Sequence, residues 1–427
     1  MNIGVLGLGY VGLANAAVLL KEGHRVVGYD INADKVRSLT DGTYPFDEGI
    51  LSEVFQRKAN KVLFTTDIKE LKDLDGYILS LPTPEKEDGS CNTEYMDEAI
   101  RNLLPLLPKE TVSYLIIRST VPLGYAKKLM EKIQNPKIHV ISMPEFVREG
   151  STFYDEEDPD RFVVGVSSNE DFEFIRRLRK VAYRKGVPFF PMNNSSAELS
   201  KYASNSFLAL KISYINSLSW LADKTDADIG DVALGMGSDR RIGKAMLGAG
   251  IGYGGSCFPK DTKAMVSFAK AYGVSLPLVE DTIRVNEEQP KLFLSKAKEY
   301  LEGFKGKTIA IFGLAYKNGI HDIRSSLSSV IIDSLLQEGA LLRCYDPSTY
   351  AMKAMKKRYP DIRCFSTMGL TLEEADALMI LTQERKFLSL KDGPYLSNMK
   401  GDLIFDGRNL FKEEDFPLYR YHSIGGK

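Results

Sequence analysis

The sequence predicts an α/β protein in which two doubly wound, mostly parallel sheet domains are joined by a helical middle domain with a long central helix. Three observations carry this. Short apolar runs alternate with helical stretches through the first 166 residues, the alternation gives way to one helical stretch free of Pro and Gly at about 195–224, and it restarts at Thr308. At 427 residues the chain is long enough for two or three domains with cores of their own.

Taken in order, residues 3–6 form a short apolar run that leads into Gly7-Leu8-Gly9-Tyr10-Val11-Gly12 and then a small-apolar stretch at 13–20. This reads as strand, glycine turn and helix. A second strand at 25–29 ends in Asp30, eighteen residues after Gly12, close to the spacing of a Rossmann dinucleotide-binding unit. Gly7 permits the tight turn, Gly9 lets backbone approach a pyrophosphate, and Gly12 packs helix on strand. The helix N-terminus faces the phosphates. Asp30 accepts from the ribose diol and repels a 2′-phosphate, so NAD is expected over NADP, with Lys35 and Arg37 nearby as the reason to keep NADP in view. Further strands are expected at 77–81, 112–117, 138–142 and 161–166. The long helix is a candidate spine and dimer surface, and equally a candidate core helix. After residues 303–306, strands at 308–313, 341–346, 377–382 and 403–406 build the second sheet. Its Gly313-Leu314-Ala315 lacks the three-glycine fingerprint, which points to a ligand other than the dinucleotide. The expected domains are 1–194 for NAD, 195–302 for the helical region with its candidate dimer surface and the Cys257 loop, and 303–427 for a second ligand.

Composition narrows the function. With 56 basic and 57 acidic residues, nothing suggests a nucleic-acid footprint. No eighteen-residue apolar run and no cationic leader is present, so a soluble, cytoplasmic protein without a membrane partner is expected. The four cysteines and four histidines are scattered without metal-ligand spacing, so no metal is expected. Cys344 and Cys364 lie in or beside strand-like runs and read as core residues, Cys91 as a bystander in a polar loop. Cys257 differs. It sits in Gly252-Tyr253-Gly254-Gly255-Ser256-Cys257-Phe258-Pro259-Lys260-Asp261, where Lys260 favours thiolate and Asp261 can handle protons.

Eight motifs in order resemble the UDP-glucose/GDP-mannose dehydrogenase family over nearly the whole chain. They are the glycine turn, Leu81-Pro82-Thr83-Pro84, Ser119-Thr120-Val121-Pro122-Leu123-Gly124, Pro144-Glu145-Phe146-Val147-Arg148-Glu149-Gly150, Glu198-Leu199-Ser200-Lys201-Tyr202-Ala203-Ser204-Asn205, Arg241-Ile242-Gly243, the Cys257 loop, and Gly313 to Lys317 with Asp322-Ile323-Arg324-Ser325. The resemblance implies NAD-dependent oxidation of the C6 alcohol of a nucleotide-hexose to a carboxylate, through a thiohemiacetal and a thioester on Cys257. It implies Lys201 and Asn205 at the C6 oxygen, Thr120 and Asp261 as the pair that holds a water and removes the first proton, and Glu145 in thioester hydrolysis. For NAD it carries Val11, Asp30, Lys35, Thr83, Thr120, Glu149, Lys260 and Arg324, the last closing over the cofactor, besides Gly7, Gly9, Tyr10 and Gly12. For the nucleotide-sugar it carries Glu145, Phe146, Val147, Arg148, Glu149, Lys201, Asn205, Tyr253, Gly254 and Lys317, with Arg241 reaching the substrate of a neighbouring subunit in a homodimer.

The wording Ser-Cys-Phe-Pro-Lys-Asp favours UDP-glucose as substrate and UDP-glucuronate as product. UDP-N-acetylglucosamine comes second and GDP-mannose third. Departures cluster near the sugar: Met143, Arg118 and Tyr253, and Val147 where Leu is usual, which leaves room for an N-acetyl group. A silent nucleotide-sugar-binding regulator and a two-electron dehydrogenase are the rival readings.

Overall fold

A computed structural model of the protein describes residues 1–44, 49–108 and 110–426. It falls into two compact units, Met1–Ser204 and Asn205–Lys427. The first is built on β1 (Asn2–Leu6), β2 (Arg25–Tyr29), β3 (Val62–Thr65), β4 (Gly76–Leu79), β5 (Ser113–Ile117), β6 (Ile138–Ser142), β7 (Phe162–Gly165) and β8 (Phe189–Met192), in the order β3-β2-β1-β4-β5-β6-β7-β8. All neighbours run parallel except β6 and β7, which meet antiparallel through Ser142 and Gly165. Such a sheet is covered on both faces, so its central strands must be apolar throughout. β4 and β5 are buried at every position. Successive residues serve opposite faces: Ile78 and Ile116 pack with Ile3 and Val5 on one side, Tyr77, Leu79, Leu115 and Ile117 with Leu6 on the other.

The second unit holds β9 (Thr308–Phe312), β10 (Leu341–Tyr345), β11 (Arg363–Cys364), β12 (Ala377–Ile380), β13 (Leu403–Asp406) and β14 (Arg420–Ser423), all parallel, in the order β11-β10-β9-β12-β13-β14. The same alternation places Ile309, Ile311, Met379 and Phe405 in one core and Ala310, Phe312, Leu378 and Ile404 in the other. This unit also contains the helices Ile229–Gly237, Phe258–Ala271 and Pro277–Leu301. The long helix runs Asn194–Ala222, 29 residues.

Ten strands fall where the alternation predicts them, within a residue or two. The four that it misses, β3, β8, β11 and β14, are the four sheet edges. An edge strand is covered on fewer sides and needs no continuous apolar run. β8 contains Pro191, β11 has two residues, and β14 alternates as Arg-Tyr-His-Ser. In the first unit the turn glycines, Asp30, Thr83, Thr120 and Glu145 all follow the carboxyl ends of strands, where open α/β sheets place their ligands.

Candidate active site

In the first unit, Gly7 adopts φ +89° and its N–H donates to Tyr29 O at 2.9 Å, which ties the turn to β2. A Cβ on Gly12 would stand 1.8 Å from Gly7 O, whereas one on Gly9 would meet nothing within 4 Å. The helix Tyr10–Lys21 starts without a side-chain cap on Gly9. A tight turn, an open glycine and an uncapped helix N-terminus suit the pyrophosphate of NAD. Asp30 is buried and accepts from Leu8 N at 2.9 Å, Asn32 N at 3.0 Å and Lys35 Nζ at 2.6 Å. Three donors leave a carboxylate one further acceptor site for a ribose hydroxyl.

After β5, Ser119 Oγ donates to Leu81 O at 2.7 Å, joining the Thr120 turn to the Thr83 segment. Cys91 is buried, and its thiol contacts Thr120 O at 3.6 Å, so this residue helps seat the turn. Thr120, Pro144 and Lys201 line one small enclosed cavity together with Ser119 and Glu198. Lys201 Nζ, almost fully buried, donates to Glu145 Oε1 at 3.2 Å, while Glu145 Oε2 accepts from Val147 N at 2.8 Å. Lys201 and Arg161 both approach the Phe146 ring, at 5.4 and 4.0 Å from its centroid. Arg148 instead turns outward onto Asp155, which raises its pKa through that hydrogen bond. Glu198, quoted in a motif but assigned no role, is buried and accepts from Gly124 N at 2.6 Å and Ala126 N at 2.9 Å. It thereby caps the helix Tyr125–Ile133, and burial pushes its carboxyl pKa up.

In the second unit, Cys257 is the exposed N-cap of the helix Phe258–Ala271. A thiol there meets the positive end of the helix dipole, which favours thiolate. One turn on, Asp261 is buried and accepts from Lys260 Nζ at 2.5 Å and Asn205 Nδ2 at 2.6 Å, and its own N–H donates to Cys257 O at 2.8 Å. A thiol, an ammonium, an amide and a carboxylate are thus assembled on one helix start and the Asn194–Ala222 helix.

The loop that leads to Cys257 is held by residues that spacing alone does not single out. Asn286 accepts from Tyr253 N at 2.7 Å and donates to Tyr253 O at 3.0 Å, Gln289 donates to Gly250 O at 2.9 Å, and Asn216 accepts from Gly250 N at 2.9 Å. The Arg408 guanidinium donates to Gly252 O at 2.8 Å and to Leu381 O at 2.8 Å. Burial pushes the Tyr253 phenol up to about 12. Gly254 packs so closely on the Ser325 carbonyl that a Cβ would stand 2.3 Å from it. That contact brings the Lys317 to Ser325 segment beside the cysteine loop. Arg324 is largely exposed and pairs with Asp322 at 2.6 Å. Arg241 is also exposed, pairs with Asp239 at 2.6 Å, and joins none of the other candidate residues within its unit.

Comparison with known proteins agrees with this division of labour. Sequence models of the UDP-glucose/GDP-mannose dehydrogenase family match residues 1–183 as the NAD binding domain, 195–288 as the central domain and 310–413 as the UDP binding domain. The chain is 37% identical to the UDP-glucose 6-dehydrogenase YwqF of Bacillus subtilis, covering 100% of this chain and 98% of that one. It is 36% identical to the UDP-glucose 6-dehydrogenase AglM of Haloferax volcanii, over 96% and 97%. The solved UDP-glucose dehydrogenase of Pyrobaculum islandicum superposes with a TM-score of 0.91 at 32% identity, over 100% of this chain and 98% of that one. The UDP-D-ManNAc dehydrogenase of Pyrococcus horikoshii gives 0.87 at 26%, over 100% and 99%.

Proposed function

Because the chain belongs to the UDP-glucose/GDP-mannose dehydrogenase family and is an NAD-dependent nucleotide-sugar dehydrogenase, we propose that it oxidises UDP-glucose to UDP-glucuronate in a four-electron reaction through Cys257. The observation that carries the chemistry is the placing of Cys257 at the start of a helix whose first turn holds Asp261 between Lys260 and Asn205. The full-length likeness to UDP-glucose 6-dehydrogenases supports the choice of sugar.

Asp261, with Thr120, holds a water, and the C6 hydroxyl proton passes through that water to the Asp261 carboxylate and on to solvent. The turn glycines and Asp30 would hold NAD, which would supply the hydride acceptor for each of the two oxidations at C6. The Cys257 thiolate adds to the aldehyde carbon, which keeps the reactive carbonyl from escaping, and the Lys201 ammonium and Asn205 amide stabilise the oxygen as it gains charge. Loss of the second hydride leaves a thioester. Glu145, positioned by Lys201 and Val147 N, directs water onto that carbon, and the C–S bond breaks to give the carboxylate and free Cys257. The reaction consumes one water and yields two NADH. The cofactor contacts assigned to Gly7, Gly9, Tyr10, Val11, Gly12, Asp30, Lys35, Thr83, Thr120, Glu149, Lys260 and Arg324, and the sugar contacts assigned to the Glu145–Glu149 stretch, Tyr253, Gly254 and Lys317, belong to the same reading, as do functional ranges 1–194, 195–302 and 303–427.

A homodimer fits the surface of the Asn194–Ala222 helix. Phe207, Tyr214 and Leu221 recur every seven residues, and each is about half exposed or more, at 61%, 49% and 64%. An apolar stripe of that kind asks for a covering partner, and Arg241 then acts on the neighbouring subunit's substrate. No described helix is long and apolar enough to cross a membrane, and the reading places the enzyme in the cytoplasm.

The test is NADH yield at limiting UDP-glucose, UDP-N-acetylglucosamine or GDP-mannose, supplied separately. Two NADH per UDP-glucose are expected, and Cys257→Ala should lose turnover. One NADH per sugar would reduce the reaction to a simple alcohol oxidation, and preference for UDP-N-acetylglucosamine would favour the roomier pocket beside Val147. Unchanged turnover in Cys257→Ala would remove the covalent mechanism.

A further inference from the structure

We propose that Arg118 is a positioning residue that holds both ends of the Glu145 segment and so sets the rate of thioester hydrolysis. The inference rests on the role of Glu145 proposed above. Arg118 follows β5 directly, is 2% exposed, and its N–H donates to Leu79 O at 3.0 Å. One nitrogen of its guanidinium, Nη1, donates to Met143 O at 3.0 Å, at the start of the segment. The other, Nη2, makes a short charge-assisted hydrogen bond to Glu156 Oε2, on the helix Thr152–Glu157 that ends it. Glu145 to Glu149 lie between these two anchors.

The Glu156 anchor is itself fixed. Arg179 grips its other carboxylate oxygen through Nη1, donates through Nη2 to Glu156 O at 2.8 Å, and reaches Glu22 through Nε at 3.1 Å. All four charged side chains are less than a tenth exposed. Such a network is a poor means of gaining stability, because desolvating two guanidinium and two carboxylate groups offsets most of their attraction and apolar packing would serve as well. Here Arg118 Nε and Glu22 Oε2 even lack hydrogen-bond partners. What apolar packing would not supply is direction. The planar fork joins a carbonyl and a carboxylate in one fixed geometry, which a single ammonium nitrogen matches poorly. The distance from this fork to the chemistry is short: Glu145 is two residues beyond Met143 and meets Lys201 at 3.2 Å.

The test compares Arg118→Lys and Arg118→Gln with the wild type in the full-length enzyme. Arg118→Lys keeps a buried positive charge opposite Glu156 while giving up the fork. It is expected to lower kcat by about tenfold or more, as loss of alignment does, with KM for UDP-glucose changed less than about twofold, and Arg118→Gln by more. Quenched reactions should show Cys257 carrying the uronyl group by intact mass. Hydrogen exchange of residues 144–151 should quicken, a readout that holds even where a variant loses overall stability. Unchanged kcat beside a lowered melting temperature, or unchanged exchange of 144–151, would overturn the proposal. Glu145→Gln separates the two claims: if it neither slows turnover nor accumulates the acyl-enzyme, the role of Glu145 fails, whereas a normal Arg118→Lys beside an impaired Glu145→Gln sinks only the positioning role.

Discussion

The two sheets build the same turn and finish it differently. Gly7 after β1 and Gly313 after β9 both take positive φ, +89° and +97°, and both donate to the tyrosine that ends the neighbouring strand, Tyr29 and Tyr345, at 2.9 Å. The next residue, Leu8 or Leu314, donates to an aspartate beyond that tyrosine, Asp30 at 2.9 Å or Asp346 at 2.7 Å. There the likeness stops. In the first unit the helix begins three residues after Gly7 with no side-chain cap, and Gly12 lies against the Gly7 carbonyl. In the second a longer loop precedes the helix Leu327–Gln337, Ser326 Oγ caps Ser328 N at 3.2 Å, and Ser328 Oγ donates to Gly313 O at 2.9 Å. One hydroxyl therefore covers in the second unit a helix N–H of the kind the first unit leaves uncapped, and another takes the carbonyl that Gly12 covers in the first. Asp346 and Asp30 each accept from three donors, but those of Asp346 are all backbone N–H groups and burial pushes its carboxyl up, whereas Asp30 takes its third from the Lys35 ammonium.

The largest expected effect comes from closing the open turn. Gly12→Val should weaken NAD binding at least about 100-fold, on the order of 2.7 kcal/mol, by titration of the folded protein with NAD. Ser328→Ala, the corresponding change in the second unit, should leave NAD affinity as it is and lower stability by about 1 kcal/mol for the lost hydrogen bond. Equal loss of NAD binding in both variants would erase the distinction. Next in size is Asp30→Ser, which removes the acid and frees the Lys35 ammonium. NAD affinity should fall about tenfold, on the order of 1.4 kcal/mol, while NADP gains relative to it. A selectivity ratio that does not move would take Asp30 out of ribose recognition.

This comparison also shows what the sequence makes legible. Buried central strands must be apolar on both faces, so β1, β4, β5, β9, β12 and β13 stand out as runs, and the glycine turn shows itself because three positions bar a side chain or leave space for a ligand. The edges β3, β8, β11 and β14 answer to fewer constraints and pass unseen. The candidate residues Cys257, Lys260 and Asp261 are legible as one glycine-rich run, and Lys201 and Asn205 as one helical motif. Their supports are not. Asn216, Asn286, Gln289 and Arg408 reach the cysteine loop from as far as Arg408 to Gly252, 156 residues away in sequence, and nothing in their local pattern marks them. Glu198 and Arg118 hold turns by backbone hydrogen bonds, a role that many residue types could play in other settings.

The smallest effect concerns one histidine in each unit, His24, which is buried, and His422, which is half-buried. His24 Nε2 meets the Leu178 carbonyl at 2.9 Å, which partly offsets the burial that lowers its pKa. His422, on β14, stacks on Tyr300 at 3.9 Å and has no hydrogen-bond partner for Nε2, and burial pushes it down to about 4 from 6.5. Neutral in the fold and protonated in the unfolded chain between those values, it contributes stability that is complete above pH 6.5 and lost as pH falls toward 4. With allowance for a half-buried ring the contribution is on the order of 1–2 kcal/mol. Urea midpoints measured from pH 7.5 to 4.5 should fall less in His422→Phe, which keeps the stack on Tyr300, than in the wild type, and His24→Phe should flatten the curve less. If the two substitutions flatten it alike, the carbonyl at His24 gives no protection, and burial alone governs both rings.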